Sequence, residues 1–310
     1  MKHIFIKTIA KMFKIIPVIL YMIVSLLCGF MLANTYRNYV KTNYATFNGL
    51  TSTLISTLTI IIFLIICGLL LITLVVMVGG GLFAGEEMDG TMRLLVAKPV
   101  SRFEIVVGKI AGLLCGSFIY LVSSIGLMMT IFVMLSTVDG EVMKIIVGYI
   151  PGYLLFGMIL IFIFSALSCL LSLLFKKRIP TMIILLFVMV ALFGMIPILR
   201  LFLKSGGSYD QYHMYLFDIN YHIGLIFYQC MSLCGGMILS SSQMSNIGTF
   251  LGIYSFRKLD YDIISSSFQT NDYVLNQYLN GNSLLLIYLL IAVGCYLLCY
   301  LRMKKKDIVT

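Results

Sequence analysis

Residues 86–109 read EEMDGTMRLLVAKPVSRFEIVVGK and carry eight charged side chains, Glu86, Glu87, Asp89, Arg93, Lys98, Arg102, Glu104 and Lys109. On either side, residues 54–78 and 110–135 contain no Asp, Glu, Lys or Arg. Placing one charge at mid-bilayer costs roughly 3 kcal/mol, so burying eight would cost on the order of 24 kcal/mol. The flanks are long enough to cross a bilayer, whose hydrocarbon takes about 20 apolar residues. The quoted stretch therefore lies in water and joins two membrane helices.

The rest of the chain follows the same pattern. Of its 310 residues, 61% are hydrophobic and 11% charged, and the mean hydropathy is +1.05. That composition excludes an ordinary soluble domain and indicates an all-α polytopic membrane protein. Uncharged apolar runs at 15–33, 54–78, 110–135, 145–175, 179–199 and 284–301 give six expected transmembrane helices in a single domain spanning 1–310. Segment 79–109 lies between spans two and three, and segment 201–283 before span six.

Six spans put both termini on one side, and the basic residues choose the side. With cytoplasmic termini, fifteen of the twenty-two Lys and Arg residues are inside, and the seven outside are balanced by seven acids. This obeys the positive-inside rule, so the formal charge of +10 reports topology and contact with anionic lipid, not nucleic-acid binding. The first apolar run is too long for a signal-peptide core and has no Ala-x-Ala site close behind it, so no cleaved leader is expected.

Local signals add detail. In residues 1–14, Lys7, Lys11 and Lys14 share one arc, with Phe5, Ile6, Ile9, Met12 and Phe13 opposite, as in an interfacial amphipathic helix. Gly79, Gly80 and Gly81 end span two. Thr91 is placed to cap a short helix over Met92–Lys98, with Met92, Leu95 and Val96 on one face, and Pro99 stops it. Ser101 and Glu104 have capping-box spacing, which starts span three near Arg102. Gly108, Gly112 and Gly116 form a small-residue stripe for close helix approach, to another span of this chain or to a second subunit. Between spans five and six, the apolar stretch 223–239 is too short to cross and reads as a re-entrant or surface helix pair.

Chemistry is scarce. The expected spans contain no ionisable group for ion coupling, no Gly-x-x-x-x-Gly-Lys-Ser/Thr phosphate loop occurs, and no catalytic residue or metal site is expected. His213 and His222 with Cys230 and Cys234 match no standard ligand spacing. Six cysteines, Cys28, Cys67, Cys115, Cys169, Cys295 and Cys299, fall in spans and read as small buried hydrophobes. Active transport by this chain would draw its energy from a separate subunit.

Glu86-Glu87, Gly90-Thr91, Leu94-Leu95, Pro99, Ser101-Arg102 and Lys109, placed between spans two and three, resemble the signature of type-2 ABC transporter permeases. The six spans, the N-terminal amphipathic helix and the outer segment before span six are similar to that family as well. The resemblance implies a type-2 ABC exporter-like fold in a bacterial plasma membrane, with segment 79–109 as the coupling segment. It implies that Glu86, Glu87, Asp89, Gly90, Thr91, Met92, Leu95, Val96 and Pro99 meet a separate ABC ATPase, the acids on its basic groups and the apolar side chains in its groove. Ser101 and Glu104 would set helix geometry, while Arg102 and Lys109 would anchor span three at the phosphate level. Two ATPase copies would bind ATP and Mg, none of it on this chain, and a second permease chain, identical or related, would complete the exporter. The apolar walls suggest an amphiphilic cargo such as a peptide antibiotic, drug or lipid. A membrane sensor or assembly factor, and an ATP-independent carrier, also accord with the residues taken alone.

Overall fold

A computed structural model describes residues 2–41, 46–92, 101–175, 177–237, 239–256, 273–276 and 278–305. Six of its helices are long and apolar enough to cross a membrane: Ile15–Val40, Phe47–Met88, Arg102–Leu135, Gly140–Leu174, Arg178–Lys204 and Gly281–Lys305. They are called spans one to six below. Each runs beyond its apolar run, because a helix continues through charged residues once it has left hydrocarbon. Span three has 34 residues, roughly 51 Å at 1.5 Å per residue, against about 30 Å of hydrocarbon. Its first turns thus project past the apolar layer.

Span two is the centre of the bundle, with 67% of its apolar stretch buried, against 17% for span six. Span six instead exposes Leu286, Leu290 and Leu297, the outward apolar face that a lipid solvent favours. In the middle of span two, Ile61–Leu71 winds as a π-helix, and Ala191–Met195 of span five does the same. The two wide turns meet where Phe63 packs 5.5 Å from Phe193 and 5.6 Å from both Phe156 and Phe227. This aromatic cluster joins spans two, four and five to the outer segment.

An N-terminal helix, Lys2–Met12, precedes span one. It lies against span three, burying Ile4, Thr8 and Met12, while Ile6 and Phe13 of the expected apolar arc stay exposed. The glycine stripe receives it. A Cβ at Gly112 would stand 2.8 Å from Thr8 Cβ and 3.0 Å from the Phe5 carbonyl oxygen, and Gly116 lies under Met12. Tyr120 Oη closes the contact by donating to the Met12 carbonyl at 2.9 Å. The neighbour on Gly112 and Gly116 is thus the chain's own first helix, which is not one of the spans expected to pack there.

The segment between spans five and six, called the outer segment after the expected topology, contains the helices Ile219–Ser232 and Ser241–Leu251 and a two-stranded antiparallel ribbon, Tyr254–Phe256 with Tyr273–Leu275. Asp218 caps the first helix by accepting from Tyr221 N at 2.9 Å. That helix is buried along most of its length. His222 is held from both sides, Nε2 lying 2.9 Å from the Tyr215 carbonyl and Nδ1 3.0 Å from Tyr288 Oη. A carbonyl only accepts, so Nε2 carries the proton and Nδ1 receives the tyrosine hydroxyl.

Candidate functional site

Span two's apolar helix ends at Gly79, and a short turn leads into Ala84–Met88. The first N–H groups of a helix have no partner of their own. Here Phe83 N and Ala84 N both donate to Ser172 Oγ of span four, at 3.1 Å each. This anchor, with Leu82, Phe83 and Ala84 fully buried, turns Glu86 toward the protein interior.

Glu86 is 4% exposed and Lys109 1%. Lys109 Nζ donates to Glu86 Oε2 at 2.7 Å and to the Leu82 carbonyl at 2.8 Å, and sits 4.5 Å from the centre of the Phe83 ring. Lys11 and Lys7 of the N-terminal helix reach Glu86 Oε1 at 3.2 and 3.4 Å. One carboxylate thus binds three ammonium groups and joins the N-terminal helix, the end of span two and span three. Ser172 adds span four. The Thr91 hydroxyl returns to the Glu86 carbonyl at 3.3 Å, which folds the next turn onto the same point.

This arrangement corrects several expectations. Glu86 is buried and paired with three lysines of its own chain, where an exposed acid had been expected. Met92 is 3% exposed and packs in this chain's core, not in a partner's groove. Lys109 is a buried counter-ion and not an anchor at the phosphate level. Arg102 donates to the carbonyls of Met303 and Lys304, at 3.0 and 2.8 Å, and so ties the start of span three to the C-terminal end of span six, where a cation is favoured. Lys7 and Lys11 turn from their solvated arc toward Glu86, while Lys14 stays exposed.

Other residues are placed as follows. Met88, Asp89 and Gly90 are exposed at the tip of the turn, Glu87 and Thr91 are half-buried, and Gly90 has a φ of 68°. Ser101 Oγ accepts from Glu104 N, and Glu104 Oε2 accepts from Ser101 N, both at 3.2 Å, forming a capping box. Leu95, Val96 and Pro99, and most of the helix expected over Met92–Lys98, lie outside the described residues. Among the described residues of this turn, Met88, Asp89 and Gly90 face outward, Met88 being 61% exposed.

Sequence reasoning missed Ser172 and the inward side of Glu86. Ser165, Ser168 and Ser172 are all fully buried on span four, and their spacing of three and four marks one helix face; that stripe was the available signal. A second polar cluster was also missed, on the outer segment. Arg200 Nε lies 3.2 Å from Asp218 Oδ2, Tyr209 Oη donates to the same oxygen at 2.9 Å, and Arg200 Nη2 donates to Asn220 Oδ1. Arg200 is 3% exposed. Cys230 and Cys234 are free thiols, and both ring nitrogens of His222 are occupied by Tyr215 and Tyr288.

No curated protein matches this chain. The family described as ABC-2 family transporter protein matches it over residues 66–308, which takes in the Glu86–Lys109 pair, the outer segment and span six. With six apolar helices and a match over most of its length, the chain belongs to the ABC-2 family of transporters and is a multi-pass membrane permease protein.

Proposed function

We propose that this chain is the membrane half of an ATP-driven exporter, with both termini in the cytoplasm of a bacterial cell and a separate ABC ATPase docked on the turn after span two. Two ATPases, which bind the ATP and Mg, and a second permease chain complete the machine. The observation that carries this reading is the convergence on Glu86. A push at the tip Glu87–Gly90 reaches the N-terminal helix through Lys7 and Lys11, span three through Lys109 and span four through Ser172. An element that only reversed the chain would need none of these ties. Their presence supports a stiff lever, because ATP-driven closure of the ATPases does work on the spans only if the contact segment transmits displacement.

The docking contact is assigned to Glu87, Met88 and Asp89, with Gly90 giving the sharp turn. The acids meet basic groups of the ATPase, and Met88 fills an apolar recess. The cargo is amphiphilic, a peptide antibiotic, drug or lipid, in keeping with walls that carry Ser, Thr and Gly among aliphatic residues.

The test is recovery of an ATPase with the tagged chain from its native membrane. Wild type retains an ABC ATPase, and Glu87→Lys with Asp89→Lys loses most of it while inserting normally. Full recovery of the ATPase with the double variant would refute the docking contact. Recovery of no ATPase with wild type would refute the exporter reading itself and favour a sensor.

A further inference from the structure

The loop that leads from span five to the helix Ile219–Ser232 is apolar and turned outward. Residues 211–217 read QYHMYLF and hold no Asp, Glu, Lys or Arg. Tyr212, Leu216 and Phe217 are 63%, 50% and 79% exposed, and Ile219 at the start of the helix is 40% exposed. Large apolar side chains gathered on one loop are uncommon where the loop faces water. The acids at its two edges are engaged elsewhere. Asp218 is buried and accepts from Tyr209 and Tyr221 while pairing with Arg200, and Asp210 accepts from the Tyr278 hydroxyl at 2.7 Å.

Span six gives the depth of this loop. Tyr288 lies four residues inside the uncharged run 284–301, about 6 Å from its edge at 1.5 Å per residue. Its hydroxyl meets His222 Nδ1 at 3.0 Å, and His222 Nε2 meets the Tyr215 carbonyl at 2.9 Å. A single imidazole ring therefore separates Tyr288 from the Tyr215 backbone, and Leu216 and Phe217 follow directly in the chain. The Tyr215 ring stacks at 4.5 Å on Tyr278, three residues before span six begins. From water inward there are thus a carboxylate, a stacked pair of tyrosines and, level with Tyr288, the backbone that carries Leu216 and Phe217. Aromatic rings with a polar tip gather at the head-group level of a bilayer, with apolar side chains below them. A protein partner fits less well, since a stable interface takes roughly 20–30 residues from each side and this patch offers four.

We infer that Tyr212, Leu216, Phe217 and Ile219 are embedded in the adjoining leaflet and anchor the loop by contact with lipid. The patch carries no cation, so it selects acyl chains and not a particular head group. The anchor sets the depth of Asp218, which caps the helix Ile219–Ser232. It requires only that span six cross the membrane, so it stands or falls apart from the ATPase reading.

The chain has no Trp, so a single introduced indole reports its own surroundings. Phe217→Trp is made in the full-length chain and reconstituted in phosphatidylcholine vesicles, with and without bromine on the acyl chains. Leu290→Trp, on the exposed face of span six, is the lipid reference, and Glu141→Trp, at the exposed start of span four, is the water reference. Leu216→Trp is the second reporter and replaces Phe217→Trp if that variant fails to fold.

The Phe217→Trp emission is expected to be blue-shifted, quenched by brominated lipid about as strongly as that of Leu290→Trp, and resistant to aqueous iodide. Emission like that of Glu141→Trp, red-shifted and quenched by iodide alone, overturns the inference, because the loop then lies in water. An indole shielded from both quenchers also overturns it and marks a protein surface, such as a second copy of this chain, as the occupant.

Discussion

Replacing Glu86 by Gln removes the one anion that balances Lys109, whose ammonium is buried 2.7 Å away. Breaking a buried pair by deleting one partner costs about 3–5 kcal/mol, because a desolvated charge is left behind. Lys109 keeps the Leu82 carbonyl at 2.8 Å and the Phe83 ring at 4.5 Å, which puts the expected loss near the lower end, about 3 kcal/mol. Lys7 and Lys11 are partly exposed, and each adds no more than about 1 kcal/mol. Lys109→Met should cost a similar amount, since it leaves Glu86 with only those two exposed partners. The double variant, Glu86→Gln with Lys109→Met, should be milder than the sum, because no buried charge remains. A thiol-reactive dye suits the measurement. The chain has no Trp, and Cys67 and Cys169 are fully buried, so they become reactive only on unfolding. A shift of less than about 1 kcal/mol in either single variant, or two effects that simply add in the double, would refute the buried pair.

Three further outcomes follow from the packing. Gly112→Val should lift the N-terminal helix from span three by overpacking against Thr8, at about 1–3 kcal/mol; unchanged trypsin cleavage at Lys7 and Lys11 would contradict the docked helix. Gly252→Ala combines positive-φ strain of about 1 kcal/mol with displacement of Arg200, so it should lower the unfolding midpoint more than Gly235→Ala, a positive-φ glycine with nothing within 4 Å of its Cβ. Burial pushes the His222 imidazole below its ordinary value, against the opposing pull of the Tyr215 carbonyl and Asp218. The unfolded chain therefore takes up this proton first. Stability should fall as pH drops through about 6.5 and level off below the folded value. His222→Gln should flatten that slope, and an identical pH profile would exclude His222 as its source.

Several features were legible because their causes are local. The capping box at Ser101 and Glu104 needs only a spacing of three, and the spans need only length without charge. The glycine stripe is local too, although its partner is not. The expectation that Glu86 faces outward failed because adjacent acids on one helix point about 100° apart, and the sequence gives no sign of which is covered. The answer came from Ser172, 86 positions away in the chain, and from Lys11 at a separation of 75. Arg102 and Arg200 hid their bonding partners for the same reason. Their partners, at the end of span six and in the outer segment, are neighbours only after the bundle has formed.

By itself, the sequence determined that this protein is a six-span membrane bundle with a charged turn between spans two and three, because bilayer solvation prices each residue almost independently of the rest. The tertiary structure alone decided which charges of that turn are locked inside and which stay exposed. A buried ion pair is stable only when both members lose water together, and that depends on segments brought into contact from across the chain.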